Sequence, residues 1–305
     1  MTRHLLTGEE FSKAEFEKLM DFSTEIKASR GTARAIKPLA GKSIGMIFAK
    51  SSTRTRVSFE VGIHELGGQP VYLDQSKTQM GRGETIPDTA RVLSRYFSGI
   101  VIRTFAQADV EGLAKYSGNC SIINALTDEY HPCQALTDMF TILEKKGGFD
   151  GVRMAYLGDG ASNMANSLAM ASQLAGIEFV IAAPEEYRPS ETILTRNYGG
   201  TGKVFWTTKP AEALADADFI YTDVWVSMGF EKESGDRMRI LEPYRLDMAA
   251  LRKAKPDAMV MHCLPAHRGE EITDDVMESP NSIVFDEAEN RLHVQKAIMA
   301  TLMPD

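Results

Sequence analysis

Two kinds of hydrophobic pattern alternate along the chain. Residues 43–48, 70–73, 99–104 and 121–125 are short runs, apolar at most positions and rich in Ile and Val, and they read as buried strands. Between them, apolar residues recur at helical spacing: Phe11, Phe16, Leu19 and Ile26 within 10–30, and Phe59, Ile63 and Leu66 within 57–66. Helices are also predicted over 88–97, with Asp88 as N-cap, over 107–117, and over 132–146, where Pro132 occupies the first turn. The run Gly147-Gly148-Phe149-Asp150-Gly151 then breaks the pattern and marks a domain boundary. A second alternation follows: strands at 153–157, 178–182, 203–206, 219–222 and 258–261, with helices at 163–174, 190–198, 210–215 and 248–253. The polar stretch 224–245 reads as an extended loop, 283–285 as a last strand, and 287–303 as a closing helix. Apolar strands alternating with helices predict an α/β fold of two tandem domains, each a parallel sheet covered by helices on both faces.

Composition narrows the class. The 305 residues are 43% hydrophobic and 25% charged, ordinary for a globular chain, and the net charge of −8 argues against a nucleic-acid surface, which needs a basic face. No apolar run approaches the roughly 20 residues that span a bilayer, and the first ten residues lack a signal-peptide core. Three cysteines, Cys120, Cys133 and Cys263, are too few and odd in number for a disulfide framework, so a cytoplasmic location is expected.

Against this acidic background, polar and basic residues collect at the ends of predicted strands, where open α/β sheets bind ligands. Ser51-Ser52-Thr53-Arg54-Thr55-Arg56 stands where a strand hands over to a helix. Hydroxyls and guanidinium groups at the positive end of a helix make a cradle for a phosphate-like anion; a plain N-cap with solvated arginines is the competing reading. Arg103, the turn His131-Pro132-Cys133-Gln134, Asp223, His262-Cys263, and Asn163 with Asn166 occupy other strand ends. Together they suggest a site holding an anion on the first domain and a more mixed ligand on the second. Gly158-Asp159-Gly160 lacks the third glycine of a dinucleotide loop and reads as a tight turn. His131 with Cys133, and His262 with Cys263, lack zinc-ligand spacing, so no metal is expected. Cys120 and Cys133 read as buried small residues, His4, His64 and His267 as surface or packing residues, and 74–87, with Gln79, Gly81 and Gly83, as a polar loop suited to binding.

Ser52-Thr53-Arg54-Thr55-Arg56, His131-Pro132-Cys133-Gln134 and His262-Cys263-Leu264-Pro265 together resemble the aspartate/ornithine carbamoyltransferases. Within that family, Asp223-Val-Trp-Val-Ser227-Met228-Gly229, the H-C-L-P turn and Asp286-Glu287-Ala288-Glu289-Asn290-Arg291 are similar to the ornithine branch. The resemblance runs from about residue 3 to about residue 303, with one departure: Ser162 stands where many members have a second Asn beside Asn163.

The resemblance implies a carbamoyl phosphate-binding domain over 1–147, with the C-terminal helix 287–305 packing back on it, and an ornithine-binding domain over 148–286. It implies transfer of the carbamoyl group of carbamoyl phosphate to the side-chain amine of L-ornithine, without metal or organic cofactor. Another amine, putrescine or N-acetylornithine, is the alternative acceptor. Carbamoyl phosphate would be held by Ser52, Thr53, Arg54, Thr55, Gln79, Arg103, His131, Gln134, Cys263, Leu264 and Arg291, with Arg54, Arg103, His131 and Cys263 as the catalytic set. Ornithine would be held by Asn163, Asp223, Ser227 and Met228. Gln79 would reach a neighbouring subunit's site, which implies a homotrimer.

Overall fold

The computed structural model describes residues 2–226 and 234–303, and the chain forms two compact units, 1–140 with 289–305, and 141–288. In chain order the first carries α1 (Lys13–Ser29), β1 (Ser43–Phe48), α2 (Thr53–Glu65), β2 (Gln69–Asp74), α3 (Ile86–Leu93), β3 (Gly99–Arg103), α4 (Gln107–Tyr116), β4 (Ser121–Leu126) and most of α5 (Pro132–Lys146). Its four parallel strands lie in the order β2-β1-β3-β4, which reverses direction of travel between β1 and β3. Ile47, Ile100, Ile102 and Ile122 from the sheet pack with Ala90 of α3 and Val110 and Leu113 of α4.

The second unit carries β5 (Arg153–Leu157), α6 (Asn163–Ala175), β6 (Glu178–Ala182), α7 (Glu191–Thr195), β7 (Lys203–Thr207), α8 (Pro210–Leu214), β8 (Phe219–Thr222), α9 (Ser234–Leu241), α10 (Met248–Leu251), β9 (Met259–Met261), α11 (Asp274–Met277) and the start of α12 (Val284–Leu302). Its five parallel strands run β7-β6-β5-β8-β9, reversing between β5 and β8. Leu157, Val180, Ile220 and Val260 form its core with Leu214, Leu246, Leu251 and Val276. The C-terminal part of α12 packs on the first unit: Ser121 Oγ donates to Leu302 O at 2.9 Å, Lys42 Nζ to Met303 O at 3.0 Å, and Lys296 Nζ to Glu65 Oε2 at 2.8 Å.

The predicted fold class is the one observed, and the differences are local. Helix α3 starts at Ile86, two residues before the predicted cap. Its cap is Thr85, whose hydroxyl accepts the Asp88 N–H at 3.3 Å; Pro87 has no N–H to lose in the first turn. The stretch 224–245 is not loop throughout, since α9 lies within it. Among its residues with described burial, only Arg237 and Leu241, one turn apart, are buried, and a single buried pair leaves almost no periodic signal. The predicted strand 283–285 is absent. Ser282 makes one bridge to Val260, and the chain enters α12 at Val284, with Asp286 and Glu287 favourably placed in its first turn.

Candidate active site

Polar residues follow the edge strands β4 and β9, and both sheets place others at the carboxyl ends of the strands that flank the reversal of order, where open α/β sheets bind ligands. In the first unit those strands are β1 and β3, with Phe48 opposite Arg103. The chain leaves β1 through Ser51 and caps α2 with Ser52, whose Oγ accepts the Thr55 N–H at 3.3 Å. Thr53 is exposed and Arg54 half-buried in the first turn; the Arg54 guanidinium has no ion pair or hydrogen bond among the described residues. Arg56 turns away, to Glu60 at 3.2 Å and over the Tyr72 ring at 3.8 Å. The sequence reading gave the cradle two arginines; the structure leaves it Arg54 from this turn, with Arg103 at the end of β3.

Arg291, from α12, is buried beside this turn. Its Nη2 donates to Thr55 Oγ1 and its Nη1 to Gln134 Oε1, both at 2.8 Å. Gln134 Nε2 in turn donates to Asp138 Oδ1 at 2.8 Å, which fixes the amide orientation. His131 is buried at the start of α5. Burial, then the Arg291 and Arg103 charges, hold its imidazole well below the usual histidine range, so it is neutral at physiological pH. Cys133, the second residue of α5, is fully buried, gives its thiol to Asn124 O at 3.3 Å and is pushed up to about 12 by burial, which makes it a packing residue.

In the second unit the strands that flank the reversal are β5 and β8. The Gly158-Asp159-Gly160 turn after β5 is tight: a Cβ on Gly160 would meet Ala183, Pro189 and Tyr187 at 2.9 Å, so this glycine serves packing. Ser162 caps α6, accepting the Ala165 N–H at 3.1 Å and lying 3.0 Å from the Tyr156 hydroxyl, which supplies a local role for the one departure from the family pattern. Asn163 is the first residue of that helix.

Asp223 ends β8 and is buried. Its Oδ1 accepts the Val224 N–H at 2.8 Å and the Cys263 thiol at 3.0 Å, and burial raises its carboxyl above the usual range. Cys263 follows β9, in a turn fixed by His262 and containing Leu264 at φ +57°. Leu264 N–H donates to His262 Nδ1 at 2.9 Å, so the ring proton sits on Nε2 and goes to Glu271 Oε1 at 3.1 Å, while the His262 N–H donates to Glu287 Oε2 at 2.9 Å. Asp223, His262 and Cys263 each offer a donor atom within 4.8 Å of the others, yet both His262 ring nitrogens are already engaged. His262 is therefore a strut that presents the Cys263–Asp223 pair.

Residues 3–144 match the model of the aspartate/ornithine carbamoyltransferase carbamoyl-P binding domain, and residues 150–302 that of the Asp/Orn binding domain. The chain belongs to the aspartate/ornithine carbamoyltransferase family. Two curated relatives, the ornithine carbamoyltransferases of Geobacter sulfurreducens and Thermococcus kodakarensis, are each 49% identical over 99% of this chain and cover 100% and 96% of their own lengths. The solved ornithine carbamoyltransferase from Pyrococcus furiosus superposes with a TM-score of 0.94 at 47% identity, covering 99% of this chain and 97% of that one.

For a carbamoyltransferase of this family, the structure gathers Ser52, Thr53, Arg54, Thr55, Arg103, His131, Gln134 and Arg291 in the first unit. Asn163, Asp223, Cys263 and Leu264 are in the second; Cys263 and Leu264 were expected among the carbamoyl phosphate contacts. Gln79 is exposed on a 3-10 turn, its side chain without a hydrogen-bond partner among the described residues. Ser227 and Met228 lie outside the described residues. The sequence reading missed Lys50, buried next to the cradle, ion-paired with Asp128 and 4.3 Å from the Phe105 ring centre. It also missed Glu271, and it quoted Glu287 only as part of the Asp286–Arg291 motif, not as a partner of His262. His4, read as a surface or packing residue, accepts the Ile122 N–H through Nδ1 at 3.1 Å.

Proposed function

We propose that this enzyme transfers the carbamoyl group of carbamoyl phosphate to the side-chain amine of L-ornithine, giving L-citrulline and phosphate. The observation that carries this reading is the Cys263–Asp223 pair, 3.0 Å apart where the second sheet's strands end. A buried carboxylate backed by a thiol attracts and orients an ammonium group. The free amine has a pKa of about 10.4, so it must lose a proton before it can attack. Asp223 takes up that proton directly, or Cys263 does so as a thiolate once its own proton has passed along the hydrogen bond to Asp223. Asn163 holds the amino-acid end of ornithine, with Ser227 and Met228.

In the first unit, Ser52, Thr53, Arg54 and Thr55, with Arg103, hold the phosphate. Gln134 and the neutral His131 bind the carbamoyl group there with Arg291, and from the second unit Leu264 is assigned to the same group. Attack of the amine on the carbonyl carbon gives a tetrahedral intermediate whose oxyanion is stabilised by His131, Arg54 and Arg291. The C–O bond to phosphate then breaks, and phosphate leaves with the bonding pair. Orientation and preorganised donors supply most of the acceleration, and no change of oxidation state occurs.

The working form is a homotrimer in which Gln79 reaches the site of a neighbouring subunit. Its exposed position supports this, as do exposed apolar side chains on the same unit: Val57 next to the cradle and Phe105 after β3. The expected compartment is the cytoplasm, in keeping with three free thiols. Among the described residues no helix is long and apolar enough to cross a membrane. Carbamoylation assayed side by side with ornithine, putrescine, N-acetylornithine and aspartate tests the reading: turnover with ornithine is expected to dominate. Preference for either of the other amines would move the enzyme to a different acceptor, and no turnover with ornithine refutes the assignment.

A further inference from the structure

Between β9 and α11 the chain makes a tight turn. Gly269, at φ +92°, donates its N–H to Ile272 O at 2.8 Å, and Arg268 bridges Ile272. The turn gathers His267, Glu270 and Glu271, each offering one ligand atom within 4.8 Å of the other two. His267 Nδ1 lies 3.3 Å from Glu270 Oε2. Glu271 is fully buried. Its Oε1 takes both the His262 ring N–H and the His267 backbone N–H, at 3.1 and 2.6 Å, whereas its Oε2 has no hydrogen-bond partner among the described residues. A buried carboxylate oxygen with no donor is costly, and a cation is one way to complete it. The His267 and Glu270 side chains are 45% and 38% exposed, so an ion has a path from water.

The neighbouring guanidinium groups are committed elsewhere. Arg268 binds Asp274 and Glu278 at 2.9 and 2.7 Å, and Arg245 Nε meets the Glu270 carbonyl rather than its carboxylate, at 2.8 Å. Among the described residues, the two carboxylates and the imidazole therefore face no compensating side-chain cation. We propose that His267, Glu270 and Glu271 form a binding site for a divalent first-row transition-metal ion, with Glu271 Oε2 as the buried ligand. One nitrogen and two oxygens, with water completing the sphere, suit a zinc-like ion better than Ca2+ or Mg2+, which favour all-oxygen surroundings. The site lies apart from the Asp223–Cys263 pair that contacts substrate but shares Glu271 with His262. A bound ion braces the turn that presents Cys263.

Titration of the whole protein with Co2+, followed by calorimetry and absorbance, tests this. One ion per chain is expected, without the near-ultraviolet charge-transfer band of a cobalt–thiolate bond. His267→Ala and Glu270→Gln, both at half-exposed positions, are each expected to weaken binding by more than about tenfold. Cys263→Ser is expected to leave binding unchanged. No binding to the native protein, or unchanged binding in both variants, overturns the proposal. So does a thiolate band lost in Cys263→Ser, because that assigns the ion to the cluster of Asp223, His262 and Cys263.

Discussion

Replacing Arg291 by Met separates its structural work from its chemical work. Arg291 is 3% exposed, and its guanidinium donates to two groups, Thr55 Oγ1 and Gln134 Oε1, both also buried. The substitution keeps much of the volume but leaves those two oxygens without their donor. Each orphaned buried group costs about 1–3 kcal/mol, so a loss of roughly 2–6 kcal/mol is expected, reduced by whatever the buried charge costs the native protein. If Arg291 also stabilises the oxyanion, kcat falls by about 100- to 1,000-fold, the effect of removing one such donor. Removing its positive charge also takes away one of the two cations that depress His131, so the imidazole moves back toward the ordinary histidine range. Steady-state kinetics at saturating ornithine, thermal unfolding and an NMR titration of His131 give three independent readings. A destabilised variant whose kcat stays within about threefold of native would refute the catalytic role and leave Arg291 as a strut between α2 and α5. Unchanged stability would contradict the hydrogen-bond accounting itself.

Asp223→Asn removes the carboxylate that accepts the Cys263 thiol and keeps the shape. A 100- to 10,000-fold loss of kcat is expected, with carbamoyl phosphate affinity measured by calorimetry little changed; equal loss of both would place Asp223 in the fold rather than the chemistry. His131 is neutral and depressed in the folded state, so below about pH 6.5 the unfolded chain binds the extra proton first. Its contribution is therefore complete above pH 6.5 and is lost as pH falls, and His131→Gln should flatten denaturant-measured stability between pH 6.5 and 5. Asp218 accepts from Arg153 N–H, Lys146 and Lys255 at 3.0, 3.0 and 2.9 Å, and Asp218→Ala should cost roughly 2–4 kcal/mol in urea unfolding without altering KM for either substrate.

Much of this protein is written in short-range pattern. Strand–helix alternation was legible because buried parallel strands are continuously apolar, and all nine of these strands begin and end within one residue of the predicted limits. The cradle was legible for a similar reason. Ser52 caps the helix that its own residues begin, so strand end, cap and first-turn Arg54 all lie within about seven positions. What sequence could not give is which distant groups meet. Thr55 and Arg291 are 236 residues apart, and only packing of α12 on the first unit joins them. That same burial, not the H-P-C-Q motif, makes His131 neutral. The Cys263–Asp223 bond spans 40 residues and depends on β8 pairing with β9, which brings two strand ends side by side. His267, Glu270 and Glu271 are neighbours in sequence, yet the proposed site emerges only because the fold buries one carboxylate oxygen that has no donor among the described residues. Local hydrogen bonding and periodicity are properties of a segment. Charge state, orientation and the meeting of remote side chains are properties of a packed interior, where desolvation and neighbouring charges decide what each group can do.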